Sequence, residues 1–128
     1  MLKKLTPNLM VEDVDRSIEF YGGKLGFQVV VTLPETGTKD FAIISQGDVQ
    51  LMLQSKTSLQ EDIPVVGERS IASTTICYIE VEGVEKLRHH LSDDVDVVVP
   101  LRKTFYGMTE FYIRDPDGYV LGFAERVP

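Results

Sequence analysis

Few residues in this chain are of a type that does covalent or metal chemistry, and their spacing works against most of it. His89 and His90 are the only histidines. They are adjacent in a stretch of helical periodicity, where neighbouring side chains point about 100° apart and cannot converge on one ion. Near a helix end, they suit the cation-favouring terminus instead. Cys77 is the sole cysteine. It excludes an internal disulfide, fits a reducing compartment, and falls on the apolar side of a strand, where a thiol without a basic neighbour is inert. A Ser-His-Asp constellation has no histidine to serve it among the strands. Gly22-Gly23-x-x-Gly26 follows a helix rather than a strand, so it reads as a helix end and not a phosphate cradle. Asp115-Pro116-Asp117-Gly118 lacks the further carboxylates of a calcium loop. Glu80 is the remaining candidate: a general base, a counter-ion for a cationic ligand, or a solvated residue at a strand end.

The elements that must position such residues are written twice. Shifting the sequence by 70 lays Val11-Glu12-x-Val14 on Val81-Glu82-x-Val84 and Asp15-Arg16 on Glu85-Lys86. The same shift lays Val29 on Val99, Phe41 on Phe111, Ile43 on Ile113 and Leu51 on Leu121, with no insertion. One register held over that span marks a tandem duplication. Each copy has the same grammar. In the first, residues 5–11 alternate as a strand. Glu12-Asp13 then caps a helix over 14–24, which the glycines end. A β-branched strand follows over 27–33, and 41–46 with 49–54 form a hairpin about Gly47-Asp48. In the second, the strand is 76–81, the helix 84–91 and the next strand 95–99. Strands near 110–114 and 119–125 turn at Asp115-Pro116-Asp117-Gly118, where Pro presets a type I turn. The polar joint over 55–73, with Pro64 and Gly67, reads as a linker. The expected fold is α+β: two βαβββ units, about 1–55 and 74–128, in one domain spanning 1–128.

Period-two alternation separates two faces of these strands. Odd positions are apolar (Leu5, Leu9, Val11; Val49, Leu51, Leu53; Cys77, Ile79, Val81; Leu121, Phe123) and must pack against the helices. Even positions are mixed and suit a ligand-binding surface. A hairpin loop of two or four residues adds Phe41 and Ile43 to the even face of the first copy, and Phe111 and Ile113 to that of the second. The candidate contacts are therefore Asn8, Gln50, Gln54, Tyr78 and Glu80 for polar groups and Met52, Phe111 and Ile113 for apolar ones. Phe105 and Tyr106 join them from a loop, where binding residues often sit. Gly122 and Ala124 leave room on that face.

The runs Asn8-Leu9-Met10-Val11-Glu12-Asp13-Val14-Asp15-Arg16-Ser17-Ile18-Glu19-Phe20-Tyr21, Leu25-Gly26-Phe27 and Phe111-Tyr112-Ile113-Arg114-Asp115-Pro116-Asp117-Gly118-Tyr119 resemble the vicinal oxygen chelate superfamily. That superfamily holds glyoxalase I, bleomycin-resistance proteins, extradiol dioxygenases and fosfomycin-resistance enzymes. The resemblance spans essentially the whole chain and implies curled mixed sheets around a shared cleft, with units paired within a chain or swapped across a dimer. It also implies metal-ligand slots on the first and last strand of each unit. Here those fall on Thr6, Met52, Ile76 and Gly122, none a usual ligand. The expectation is no metal and no cofactor.

Composition limits the partners. The chain has 128 residues, 13 Lys plus Arg against 20 Asp plus Glu, and a net charge of −7. That balance argues against nucleic acid and anionic membranes, and it favours cationic or neutral ligands. The uncharged run over 70–79, matched in length only by 25–34, is far short of a membrane span. Residues 5–11 are too short for a signal core, so a cytoplasmic location is expected. The functional expectation is a bleomycin-resistance-like homodimer that binds a small organic molecule, cationic or aromatic, antibiotics included. The alternatives are a glyoxalase-like metal-dependent lyase or a dioxygenase, and a cofactor-free enzyme using Glu80.

Overall fold

The computed structural model describes residues 1–71 and 74–128. The chain divides into two compact units, one running to Ile71 and the other to Pro128. Each carries one four-stranded mixed sheet with a helix of two turns or more, an α+β arrangement.

In the first unit the elements are β1 (Asn8–Val11), α1 (Val14–Leu25), β2 (Gln28–Leu33), β3 (Phe41–Gln46) and β4 (Val49–Ser55). The sheet order is β1-β4-β3-β2, with β1 and β4 parallel and the other pairs antiparallel. Asp13 caps α1 as its composition demands, its carboxylate accepting from the Arg16 amide at 3.1 Å. Gly26 ends the helix at φ 77°, a conformation that costs a residue with a Cβ and not glycine. The buried residues of α1 (Val14, Phe20, Tyr21 and Leu25) belong to a helix that packs on β2, β3 and β4, where Ala42, Ile44, Leu51 and Leu53 are buried. β1 is shorter than its alternation predicts. Leu5 is exposed and Thr6 lies ahead of the ladder, which opens where the Pro7 carbonyl accepts from the Met52 amide at 2.8 Å.

The stretch expected to be a linker is folded. Residues after β4 form α2 (Lys56–Asp62) and α3 (Pro64–Gly67), and α2 packs on β1 and β4. The Ser55 hydroxyl caps α2 through the Ser58 amide, Pro64 starts α3, and Leu59 is buried. Gly67 is needed because α3 approaches α2 so closely that a Cβ would sit 2.2 Å from the Gln60 amide nitrogen. Tertiary packing, invisible to periodicity, makes these helices. Ala72 and Ser73, the end of the expected linker, lie outside the described residues.

The second unit repeats the plan with β5 (Ile76–Glu80), α4 (Val84–Leu91), β6 (Asp96–Lys103), β7 (Met108–Arg114) and β8 (Val120–Arg126), in the order β5-β8-β7-β6. α4 has no side-chain cap of its own. Glu125 of β8 supplies one from a distance, accepting from the Gly83 and Val84 amides at 2.9 and 3.1 Å. Those bonds hold its carboxyl below the usual range.

One register differs from the sequence expectation. In the first hairpin Gln46 faces Val49 across a two-residue loop. In the second, Asp115 donates its amide to the Tyr119 carbonyl at 2.8 Å and Pro116-Asp117-Gly118 form a three-residue loop. Gly118 closes it at φ 94°, and the Asp115 carboxylate accepts from the Asp117 and Tyr119 amides. An odd loop length reverses the side on which each β7 residue faces relative to β8. Phe111 therefore opposes Phe123, and Ile113 opposes Leu121, on the helix side. Both are fully buried, and the expectation that they face ligand is corrected.

Candidate functional site

The even face of the second unit is a grid set by strand register. Glu80, Ala124, Glu110 and Arg102 form one row across β5, β8, β7 and β6, and Tyr78, Gly122 and Tyr112 form the next. Strands β5 and β7 are separated by β8, so about 10 Å divides their backbones. Large side chains on β8 would wall them apart. Gly122 and Ala124 do not, and the Tyr78 hydroxyl reaches across to donate to Glu110 Oε1 at 2.7 Å.

Glu110 is the hub. It is 0% exposed, yet both carboxylate oxygens are engaged. Arg102 donates to Oε2 through Nε at 3.2 Å and Nη2 at 2.9 Å. The Tyr106 hydroxyl, from the loop between β6 and β7, sits 2.9 Å from both oxygens. Burial by itself pushes this carboxyl up, but hydrogen bonds from Tyr78, Arg102, Tyr106 and Tyr112 outweigh it and hold Glu110 below the usual range. The same contacts move the partners the other way. Burial, then the Glu110 bond and charge, push the Tyr78 phenol up, and burial with the Glu110 charge does so for Tyr112. Neither tyrosine is an available base. The Arg102 guanidinium lies 5.8 Å from the Tyr112 ring centre, and the Tyr78 and Tyr112 rings are 6.3 Å apart.

Sequence reasoning named Tyr78, Tyr106 and Glu80 on this face and missed Glu110, Arg102 and Tyr112. The signal was present in Glu110-Phe111-Tyr112-Ile113-Arg114, whose apolar residues alternate with polar ones. Assuming an even loop length assigned them to the wrong side. Phe105 is in the loop as expected, fully exposed and edge-on to Tyr106 at 5.1 Å. The room expected beside Gly122 and Ala124 is occupied by Tyr112 and Glu110. Cys77 is half-buried, and its thiol is pushed up by burial and then by Asp115, consistent with an inert group.

A family model, the Glyoxalase/Bleomycin resistance protein/Dioxygenase superfamily, matches residues 5–123. The chain belongs to this superfamily. It is 32% identical over 131 residues to a bleomycin resistance protein of Geobacillus stearothermophilus, covering 94% of this chain and 95% of that one. A protein of unknown function from Agrobacterium tumefaciens str. C58 superposes with a TM-score of 0.81 at 22% identity, over 99% of this chain and 96% of that chain. TnmS3, an antibiotic binding protein from Streptomyces sp. CB03234, superposes at 0.74 and 18% identity, over 98% and 97%. At those identities the structural likenesses show the shared fold.

The four positions that the sequence resemblance led us to expect as metal slots carry side chains that do not fit a divalent metal. Thr6 offers a hydroxyl, Met52 a thioether and Ile76 an alkyl chain, whereas a divalent transition metal wants imidazole, thiolate or carboxylate. Gly122 offers nothing, and the Tyr112 ring takes the space of its side chain. Among the described residues, no group of three or more His, Cys, Asp or Glu is placed to hold a metal ion.

The first unit uses the same grid for a different surface. There the expected register holds, with Phe41 opposite Gln54 and Ile43 opposite Met52. Gln54 is buried and committed. It accepts from Asn8 at 3.0 Å and donates to the Ser58 hydroxyl at 2.9 Å. Gln50 accepts from Lys4 at 2.7 Å. A groove of about 380 Å³ runs beside Leu33, Pro34, Phe41, Gln54 and Ser58, with Asp40 and Asp62 at its margins. Leu33 and Phe41 stand where the second unit puts Arg102 and Glu110.

Proposed function

We propose that this protein captures a small organic molecule without a covalent step, a metal or a cofactor, and that the even face of the second unit is its main contact surface. One observation carries the reading. A buried carboxylate, Glu110, fixes Tyr78, Tyr106 and Arg102 at their polar ends while 44% of Tyr78 and 47% of Tyr106 stay exposed. Aromatic surface held still before the ligand arrives loses less entropy on binding. Each stacked ring contributes about 0.5–1.5 kcal/mol beyond burial. The groups a hydrolase or lyase needs are not assembled here, because the tyrosine protons and the carboxylate are spent on one another.

The expected ligand is aromatic, cationic, or both. The net charge of −7 favours a cation, and exposed Glu80 lies on the same face. The bleomycin resistance proteins among the relatives, and antibiotic-binding TnmS3 with the same fold, support an antibiotic as the natural ligand class. Phe105 adds a contact from the loop between β6 and β7, and Asn8, Gln50 and Met52 are the candidate contacts of the first unit's own even face. No helix among the described residues is long and apolar enough to cross a membrane. A cytoplasmic homodimer completes the reading.

Calorimetry against bleomycin and a panel of planar aromatic antibiotics tests it. Saturable binding without change in the ligand, weakened by Tyr78→Ala, is expected. Turnover of any of these compounds, or of a thiol conjugate, would overturn capture in favour of an enzyme.

A further inference from the structure

Resting on the capture reading, the geometry points to a second rule: the site selects ligands that present N–H donors. The reason is proton accounting around Glu110. A phenol has one proton to donate and two lone pairs to accept with. Tyr78 commits its proton to Glu110 Oε1 at 2.7 Å, and Tyr106 commits its own to the same carboxylate at 2.9 Å. Glu110 is held ionised, so it has no proton to return. Both hydroxyl oxygens are thereby left as acceptors only, on residues nearly half exposed. Donation to a carboxylate polarises each O–H bond and strengthens its oxygen as an acceptor. Arg102 spends Nε and Nη2 on the same carboxylate and also donates to the Tyr106 hydroxyl, which leaves the Tyr78 oxygen as the freer acceptor of the two.

A ligand oxygen lying over these tyrosines meets a lone pair. An amine, amidine or amide N–H in that place meets an acceptor. With the Tyr78 and Tyr112 rings 6.3 Å apart beside it, the chemistry selected is a planar aromatic body carrying N–H groups at its edge. The tyrosines set specificity, and Glu110 is the positioning residue that orients their protons.

Two dyes isolate this term. Proflavine and acridine orange are planar acridines, both cationic at neutral pH through the same single ring N–H, and differ in having free or dimethylated amino groups, so the comparison reads the amino N–H donors alone. Fluorescence titration of the intact protein is expected to show proflavine binding about tenfold tighter, the size of one hydrogen bond. In the Tyr78→Phe/Tyr106→Phe variant that preference should fall to about twofold or less, with acridine orange affinity kept, since stacking remains. Glu110→Gln, checked for folding by its thermal transition, should also reduce it, because a carboxamide N–H can donate to the phenols and release their protons. Equal binding of both dyes by the native protein would overturn donor selection and leave capture standing. So would a preference that survives in the double variant, which would make it steric. Binding of neither dye would overturn selection of planar N–H donors, while capture stands or falls on the calorimetric panel.

Discussion

The Tyr112 ring rests where a side chain at position 122 would be: a Cβ on Gly122 would come 2.5 Å from Tyr112 Cε2 and 2.9 Å from Cδ2. Glycine on β8 is thus what lets the β7 tyrosine lie over the sheet, and what lets Tyr78 reach past it to Glu110. Gly122→Ala must displace the ring. Overpacking of this kind costs about 1–3 kcal/mol, read as a lower urea midpoint at unchanged slope. Adding Tyr112→Ala should recover most of the loss, because the two changes share one contact. An unaltered midpoint in Gly122→Ala would mean the ring swings aside freely.

Glu110 also gives the protein a signed pH dependence. Its folded-state carboxyl lies below the usual range, so its stabilisation is present above about pH 4.3 and is lost as pH falls through the folded value. Glu110→Gln removes this ionisation. The stability gap between native protein and variant should be widest near neutrality and should narrow below about pH 4. Urea titrations at a series of pH values would show it. A gap constant into strong acid would mean that Glu110 is not ionised in the fold.

Glu125 contributes with the same sign through a different contact. It accepts from the Gly83 and Val84 amides, which no side chain of α4 itself caps. Glu125→Ala should lower the thermal midpoint and speed hydrogen exchange at those two amides, more than Glu85→Ala on the helix itself. Unchanged exchange at Gly83 and Val84 would refute the remote cap.

The duplication, the strand that became β3, and Asp13 as a cap were all legible because they rest on local chemistry and on period. The repeat itself carries into the structure, where a shift of 70 relates β1 to β5 and β4 to β8 as it does in the sequence. What was not legible depends on contacts distant in the chain. Lys56 to Gly67 has no period of its own, and it is helical because Leu59 and Ser58 find β1 and β4 to pack on. Glu110 is silent as a lone carboxylate in a strand. Its partners at positions 78, 102 and 106 are assembled only by the sheet order. Phe111 and Ile113 were misplaced by a single loop residue.

That residue is itself testable. The second hairpin turns through Pro116-Asp117-Gly118, one residue more than Gly47-Asp48 in the first, and alternation then forces Phe111 and Ile113 inward and Glu110 and Tyr112 outward. Deleting Pro116 leaves a two-residue loop, and β7 has two ways to respond. Turning over would expose two fully buried side chains and drive Glu110 toward α4, leaving its charge without Arg102. Slipping along β8 would instead break the Arg102, Tyr78 and Tyr106 contacts. Either costs more than about 5 kcal/mol, comparable with the whole stability of a small domain. The deletion variant should therefore lose its cooperative thermal transition, whereas Pro116→Ala, of equal length, should stay within about 1 kcal/mol of the native protein. A deletion variant that melted like the native protein would show that the loop absorbs the change and that parity does not set the β7 faces.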